Sequence, residues 1–288
     1  PGSIADGKPL VLTTFTVLAE MARHVAGDRL RVASITKVGS EIHSYEPTPS
    51  DLRRAQGARL VLENGLNLER WSRRFTDNLP GARRVILSEG IQPLPIRSDP
   101  LAPQGDDPAD ANKPNPHAWM APRLAQRYVA NIRDAFIRLD PAGAEGYRRR
   151  ARAYQQELQQ LDQTLRQALA RVPAEHRLLV SCEGAFSYLA HDYGLQEGYL
   201  WPVNGEGQTT PRRQARLIDT VRQRKLPAVF CESTVNDKVM RQVAAASGAR
   251  FGGTFYVDSL SQDDGPAPSL LALQRHNVGL IVKGLSHG

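Results

Sequence analysis

The segment from Ala144 to Pro173 reads AEGYRRRARAYQQELQQLDQTLRQALARVP and is the most informative part of the sequence about the fold. No proline interrupts it before Pro173, and no glycine follows Gly146. Apolar side chains recur at three- and four-residue steps, at Tyr147, Ala151, Tyr154, Leu158, Leu161 and Leu165. The pattern predicts a helix from Ala144 to about Ala170, roughly 40 Å long. A helix of that length could connect two separate lobes.

On both sides of this helix, apolar β-branched runs alternate with helical patterns. Strands are predicted at residues 11–15, 30–35, 59–63, 84–87, 178–182, 198–200, 228–231 and 254–257. Helices are predicted near residues 16–26, 184–193, 211–224 and 237–247, with two more starting at Pro49 and after Pro268. Ser50 is the expected N-cap of the helix at Pro49. The segment 97–114, rich in Pro, Asp, Gly and Ala, predicts an irregular surface loop.

Strands that alternate with helices predict parallel sheets. The expected fold class is therefore α/β, with two lobes that have mainly parallel sheets flanked by helices and are joined by one long backbone helix. The corresponding domains are an N-terminal lobe at residues 1–143, the linking helix at 144–172, and a C-terminal lobe at 173–288. A chain of 288 residues is long for a single core and agrees with this division.

Composition excludes several classes of protein. The net charge is +7 and the pI is about 9.6, but arginine is scattered along the chain. The short concentrations at 148–152 and 212–213 are interpreted as solvated helix faces, so no nucleic-acid partner is predicted. No apolar run approaches the ~20 residues that span a bilayer. No signal peptide is visible at the first residues; mature exported proteins and cytosolic proteins both look like this.

The two cysteines, Cys182 and Cys231, each end an apolar run and each precede a glutamate. If both runs are strands of one parallel sheet, both sulfurs lie at its carboxyl edge. In an exported protein this placement allows a disulfide, whereas in the cytosol two buried thiols are expected. The residues alone leave both states open.

Four possible metal ligands lie far apart in the sequence, each at the end of a predicted strand or in a following loop. They are His43 in SEIHSYEP, His117 in NPHAW, Glu183 in SCEGAF and Asp258 in YVDS. Ligands of open α/β sheets bind beyond the carboxyl ends of strands, so the four have a way to converge. Alone, Glu183 could be a helix N-terminal acid and Asp258 a turn residue. Together, two imidazoles and two carboxylates suit a borderline-hard divalent cation.

In these four segments the chain resembles the metal-specific solute-binding proteins that feed ABC importers, the manganese, zinc and iron group. The resemblance runs from about Leu10 to Leu285. It is best at residues 39–51, 115–119, 181–193 and 255–268.

The resemblance implies an extracytoplasmic or periplasmic monomer that is not an enzyme. Such a protein captures a divalent ion in the cleft between the lobes and delivers it to an ABC permease in the inner membrane. The resemblance also implies that the metal ligands are His43, His117, Glu183 and Asp258. Export also favours a disulfide between Cys182 and Cys231.

The residue at position 183 bears on the metal. Members of the group that have His there favour zinc, whereas Glu183 implies manganese or iron. Mn²⁺ is therefore the expected cargo, with Fe²⁺ and Zn²⁺ as alternatives. A ligating imidazole usually donates its other N–H to a carboxylate or carbonyl, and Glu232 is a candidate for that role. Trp119 is expected to shield His117 from water.

A metallohydrolase is the alternative from a different class. Two histidines and two carboxylates can hold a catalytic ion, but catalysis requires an open coordination position and a nearby general base. No HExxH motif occurs in the sequence. A full shell of four protein side chains would leave little room for a reactive water.

Overall fold

Two α/β lobes and a long connecting helix make up the computed structural model, which describes residues 7–103, 110–203 and 209–286. The elements before the connecting helix are β1 (Leu10–Thr13), α1 (Thr16–Ala26), β2 (Arg31–Ser34), α2 (Pro49–Ala55), β3 (Ala58–Glu63), α3 (Ser72–Thr76), β4 (Arg83–Ile86), β5 (Pro95–Ile96), β6 (Asp110–Pro114) and α4 (Pro122–Leu139). Strands β1 to β4 form one parallel sheet in the order β2-β1-β3-β4.

The second lobe follows the connecting helix α5 (Ala144–Leu169). Its elements are β7 (Leu178–Glu183), α6 (Ser187–Tyr193), β8 (Gln196–Trp201), α7 (Pro211–Gln223), β9 (Ala228–Glu232), α8 (Lys238–Ser247), β10 (Arg250–Phe255) and α9 (Leu270–Ser286). Here β7 pairs with β8 and β9 with β10, both in parallel. Strands β7 and β9 lie side by side and are joined by the Cys182–Cys231 disulfide. The α/β fold class, the two lobes and the disulfide are confirmed.

Helix α5 is amphipathic, and its apolar stripe is stabilised by packing against three other helices. All six predicted apolar positions are buried, and the helix contacts α1, α4 and α9. Truncating a buried leucine of this stripe, such as Leu158→Ala, would destabilise the fold by about 2–5 kcal/mol. The predicted extent was right to within one residue, because spacing and Pro173 are local signals.

The predicted N-cap of α2 was wrong. Thr48, not Ser50, caps the helix: its hydroxyl accepts a hydrogen bond from the backbone of Asp51 at 3.1 Å. The Asp51 carboxylate in turn accepts from the Thr48 backbone at 2.9 Å, which completes a capping box. Pro49 then occupies the first helical turn, where its missing N–H costs nothing.

The prediction of an irregular loop over 97–114 was wrong in part. Strand β5 directly precedes the segment, and β6 forms the end of the segment. The two strands pair antiparallel, so the last residues of the segment are not an irregular loop. Proline is tolerated there because the two-stranded ribbon has free edges. Asp99 forms an ion pair with Arg216 of α7 at 2.6 Å, which ties the segment to the second lobe. Residues 104–109 of the segment lie outside the described residues.

Two boundaries matter for the site. Helix α6 begins at Ser187 rather than at the predicted Gly184, because a tight turn from Ala185 N–H to the Glu183 carbonyl (2.8 Å) intervenes. Glu183 therefore remains the last residue of β7. Strand β10 ends at Phe255, so Asp258 lies in the loop beyond it. Within the described ranges, no helix has the length and apolar composition needed to cross a membrane.

Candidate metal centre

The four predicted ligands, distant in sequence, meet at one point between the lobes. Ligand atoms from His43, His117, Glu183 and Asp258 all lie within 4.8 Å of one another, and all four residues are buried. The His43 Nε2 atom is 3.0 Å from Asp258 Oδ2 and 3.3 Å from Glu183 Oε1. The His117 Nε2 atom is 3.2 Å from Asp258 Oδ1. The arrangement encloses a small volume with two nitrogens and several carboxylate oxygens.

Each lobe supplies one kind of donor. His43 lies in the long loop between β2 and α2, and His117 lies between β6 and a short 3₁₀ turn at Ala118–Met120. Glu183 ends β7, and Asp258 follows β10. The imidazoles therefore come from the first lobe and the carboxylates from the second. All four lie at or beyond the carboxyl ends of strands or in connecting loops, as expected for a parallel α/β fold.

The loop that carries His43 is held by Glu41. The Glu41 carboxylate accepts hydrogen bonds from the backbone N–H of His43 at 2.6 Å and of Ser44 at 2.8 Å. One residue away, the Ile42 carbonyl accepts from Trp71 Nε1 at 2.7 Å. These bonds hold the backbone of residues 42–44 and thereby fix the position from which the His43 side chain extends.

His117 is oriented by Asn115, two residues earlier. His117 Nδ1 lies 3.0 Å from Asn115 Oδ1, and Asn115 Nδ2 donates to the Gly184 carbonyl at 2.9 Å. Because the Gly184 carbonyl can only accept, the Asn115 nitrogen faces it, and Oδ1 faces the ring. His117 Nδ1 must then carry a proton, so a neutral ring, as a metal ligand must be, would direct its Nε2 lone pair at the centre. The sequence analysis missed Asn115, although its position before Pro116-His117 is a usable signal.

Asn115 also links the two lobes. Its side chain bonds Gly184, the residue directly after Glu183, and lies 3.2 Å from Ser187 Oγ. Ser187 Oγ in turn donates to the half-buried Glu197 carboxyl at 2.6 Å. Burial raises the pKa of Glu197 to about 7, although bonds from Ser187 and Phe186 oppose the shift. The imidazole of one lobe is thus connected to the carboxylate segment of the other.

Glu232 and Trp119 both lie beside the centre, Trp119 against His117 as expected and Glu232 at a different contact from the one expected. The Glu232 carboxyl lies 3.3 Å from the backbone nitrogen of Glu183, so it supports the strand end rather than an imidazole. Burial, together with the nearby Glu183 charge, raises the pKa of Glu232 well above its usual range. The Trp119 ring centroid lies 5.1 Å from that of His117, and Trp119 Nε1 donates to the Val257 carbonyl at 3.3 Å.

The electrostatics of the centre suit a cation. Burial alone would lower the pKa of His43, but the Glu183 and Asp258 carboxylates outweigh it and raise this pKa to about 10. Burial would raise the pKa of Asp258, yet His43 and His117 hold it well below its usual range. Burial raises the pKa of Glu183, and the imidazoles oppose the shift only in part. A divalent ion would replace protons as the positive charge here.

A cavity of about 400 Å³ borders His43, Glu183 and Asp258. Its remaining wall includes Trp201 and residues between Thr234 and Val239 of the second lobe. His117 does not line the cavity and is fully buried. An ion that enters through the cavity would therefore reach His43 and the carboxylates before His117.

Comparison with known proteins places these features in context. The sequence profile of the family described as "zinc-uptake complex component A periplasmic" matches residues 11–284. The iron-binding protein YfeA of Yersinia pestis is 48% identical over 274 residues, which cover 95% of this chain and 85% of YfeA. The manganese-binding lipoprotein MntA of Halalkalibacterium halodurans is 35% identical over 287 residues, or 99% of this chain and 91% of MntA.

A solved structure agrees with the fold along nearly the whole chain. The periplasmic zinc-binding protein TroA of Treponema pallidum superimposes with a TM-score of 0.87 at 27% identity. The match covers 98% of this chain and 100% of the TroA chain. The three relatives are named for three different metals.

Proposed function

Because the chain belongs to the family of periplasmic zinc-uptake components, we propose that it is an extracytoplasmic solute-binding protein that captures Mn²⁺ and delivers it to an ABC permease. His43, His117, Glu183 and Asp258 are the proposed ligands. The relatives that carry the names of iron, manganese and zinc support a divalent transition metal as the cargo. Fe²⁺ and Zn²⁺ are the alternatives within the same class.

The observation that carries the proposal is the convergence of two imidazoles and two carboxylates within 4.8 Å. Two neutral imidazoles and two carboxylates have a net charge of −2, which a divalent ion balances. Each carboxylate can bind through one or two oxygens, so the shell can expand beyond the tetrahedral arrangement that zinc favours. An oxygen-rich shell of this kind suits Mn²⁺. Zn²⁺ should still bind tightly in vitro, because its intrinsic affinity for such donors is higher.

The remaining features agree with this function. The Cys182–Cys231 disulfide suits an oxidising compartment outside the cytoplasm. We propose that the lobes at 1–143 and 173–288 act as units about the helix at 144–172, and that the protein works as a monomer. A single backbone helix would restrict the lobes to small movements relative to one another when the ion enters or leaves.

The proposal gives the protein no catalytic role. A metallohydrolase would keep one coordination position open for water and place a general base beside it. The four proposed ligands occupy the centre instead. A hydrolase assay with Mn²⁺ or Zn²⁺ added should show no turnover above the metal-only control.

The metal assignment is tested by elemental analysis of protein purified from its native compartment without added metal. Competition titrations with Mn²⁺, Fe²⁺ and Zn²⁺ then measure the order of affinities. One equivalent of manganese in the purified protein is the expected result. Protein that carries no metal and gives no titration signal with any of the three ions would overturn the proposal. Protein that carries one equivalent of iron or zinc would retain the class and change the cargo.

A further inference from the structure

A groove rich in arginine opens between α4 and α5, away from the metal centre. It has a volume of about 480 Å³, and Arg133, Arg138, Arg148 and Arg152 all line it. Asp134 is the one acidic residue among its lining side chains. The sequence analysis interpreted the arginines near residue 150 as part of a solvated helix face. Arg148 and Arg152 are exposed, as that interpretation expects, and they line one concave surface together with arginines of α4.

The charges in this groove are poorly balanced. Asp134 forms an ion pair with Arg133 at 2.9 Å. The side chains of Arg138, Arg148 and Arg152 are exposed and form no hydrogen bond or ion pair with any part of the chain that the structure describes. Other arginines of the same lobe are paired: Arg29 with Asp140 at 2.7 Å, and Arg84 with Glu63 at 2.7 Å. Three uncompensated guanidinium groups around one cavity favour an anionic partner.

The groove lies at the end of the lobe opposite the metal centre. Helix α4 begins at Pro122, shortly after His117, and Arg133 and Arg138 lie roughly 16 and 24 Å further along its axis. The start of α5 is held to the end of α1, because Arg150 Nε donates to the Val25 carbonyl at 2.9 Å. Helix α1 returns from the carboxyl end of β1, so it ends near the amino ends of the strands. The groove is therefore separated from the centre along the length of α4 and lies toward the amino ends of the strands.

We propose that this groove docks the protein on the headgroups of anionic phospholipids at a membrane surface. Guanidinium groups form paired hydrogen bonds with phosphate oxygens, and several around one concavity can share adjacent headgroups. Ile137 and the arginine stems provide an apolar lining beneath the charges. This inference rests on the proposed function, under which a protein docked in this way stays close to a membrane permease. The contact must be weak and reversible, since delivery requires the metal centre to approach that permease.

The test is sedimentation of the full chain with phospholipid vesicles, one set of phosphatidylcholine alone and one that also contains phosphatidylglycerol. The groove variant is Arg138→Gln/Arg148→Gln/Arg152→Gln. The matched control is Arg53→Gln/Arg212→Gln/Arg275→Gln, which removes three exposed arginines elsewhere and has the same net charge. Because all six positions are on the surface, both variants should fold and bind Mn²⁺ like the original protein.

The original protein should bind the anionic vesicles and not the neutral ones, and added salt should release it. The groove variant should lose at least about tenfold in vesicle affinity, and the control variant less than about twofold. Equal losses in the two variants would overturn the proposal, because they would indicate attraction through net charge alone. Release by inorganic phosphate at concentrations where chloride of equal ionic strength has no effect would also overturn it, since the groove would then hold free phosphate.

Discussion

The two lobes contribute to the centre in different ways. The first lobe supplies two imidazoles on loops, and side-chain hydrogen bonds from Glu41 and Asn115 hold those loops. The second lobe supplies two carboxylates at strand ends, and a disulfide beside Glu183 holds its strand to its neighbour. A neutral imidazole binds through one directed lone pair, so its orientation must be set. A carboxylate binds mainly through charge, so its strand end must be held in place.

This difference implies that changes to the carboxylates should cost more than changes to the groups that orient the imidazoles. Loss of a carboxylate removes charge from a buried site, where compensation by water is poor. Loss of an orienting hydrogen bond leaves every ligand present but less well ordered.

The largest effect is expected from Asp258→Ala, because Asp258 is within 3.2 Å of both imidazoles. The affinity for Mn²⁺ should fall by at least about 1,000-fold, or roughly 4 kcal/mol. Calorimetric titration measures the change. Asp263→Ala removes an exposed carboxylate in the same loop region and should bind like the original protein. Unchanged Mn²⁺ affinity in Asp258→Ala would exclude Asp258 as a ligand.

The disulfide should contribute strongly to stability, because it closes a loop between residues 49 positions apart. Replacing Cys182 and Cys231 with alanine should lower the free energy of unfolding by about 4 kcal/mol on loop entropy alone. Denaturant unfolding of the metal-free protein measures the loss, and reduction of the original protein should reproduce it. A change below about 1 kcal/mol would mean that packing of β7 against β9 is sufficient without the bond.

An intermediate effect is expected from Asn115→Ala, which removes the acceptor for His117 and the bond to Gly184. Mn²⁺ affinity should fall by about 10- to 100-fold. Ser187→Ala is the matched control, because it removes a neighbour of Asn115 and leaves the bond to His117 intact. Nitrogen NMR of the histidine rings should show His117 protonated on Nδ1 in the original protein and in Ser187→Ala. A mixture of His117 tautomers should appear only in Asn115→Ala. If Asn115→Ala lost affinity but kept a single tautomer, the loss would not come from the orientation of the His117 ring.

Proton competition should make binding depend on pH by up to about tenfold per unit for each proton displaced. The metal-free His43 has a pKa raised to about 10, so Mn²⁺ affinity should increase as the pH rises through the neutral range. The same pKa affects the metal-free fold with the opposite sign. Because the pKa of His43 is higher in the folded than in the unfolded protein, protonation of His43 stabilises the fold. This stabilisation is complete below about pH 6.5 and is lost as the pH rises through about 10. Unfolding with and without Mn²⁺ across this range should show the two trends diverge; parallel trends would argue against competition at His43.

The smallest effect is expected on metal preference, from Glu183→His. This change replaces an oxygen donor with nitrogen, and the Mn²⁺/Zn²⁺ affinity ratio should fall by about tenfold. Glu183→Gln is the companion variant, since it removes the charge and keeps an oxygen. Competition titrations on all three proteins separate the donor atom from the charge. A ratio that is unchanged or higher in Glu183→His would show that selectivity lies outside position 183.

Features that depend on local signals could be predicted from the amino-acid sequence. The spacing of apolar residues and the position of Pro173 specified α5 to within one residue. Strand–helix alternation specified two parallel α/β lobes, and four short segments singled out His43, His117, Glu183 and Asp258.

Local rules also failed where several candidates were adjacent. Thr48 rather than Ser50 caps α2, because a reciprocal bond with Asp51 favours the earlier residue. The segment that contains β6 is rich in turn-forming residues, so a loop was predicted where the structure has a strand.

Contacts between groups that are distant in sequence became apparent only in the folded chain. Asn115 bonds Gly184 across 69 residues, and Glu232 lies against the backbone of Glu183 across 49. Arginines from two successive helices meet in one groove only because α4 and α5 pack side by side. Such contacts depend on how elements pack, and a pattern within one segment carries no information about a partner in another. The candidate ligands could therefore be predicted from the sequence. Their orientation, and the hydrogen bonds that hold them in place, depend on how the chain folds.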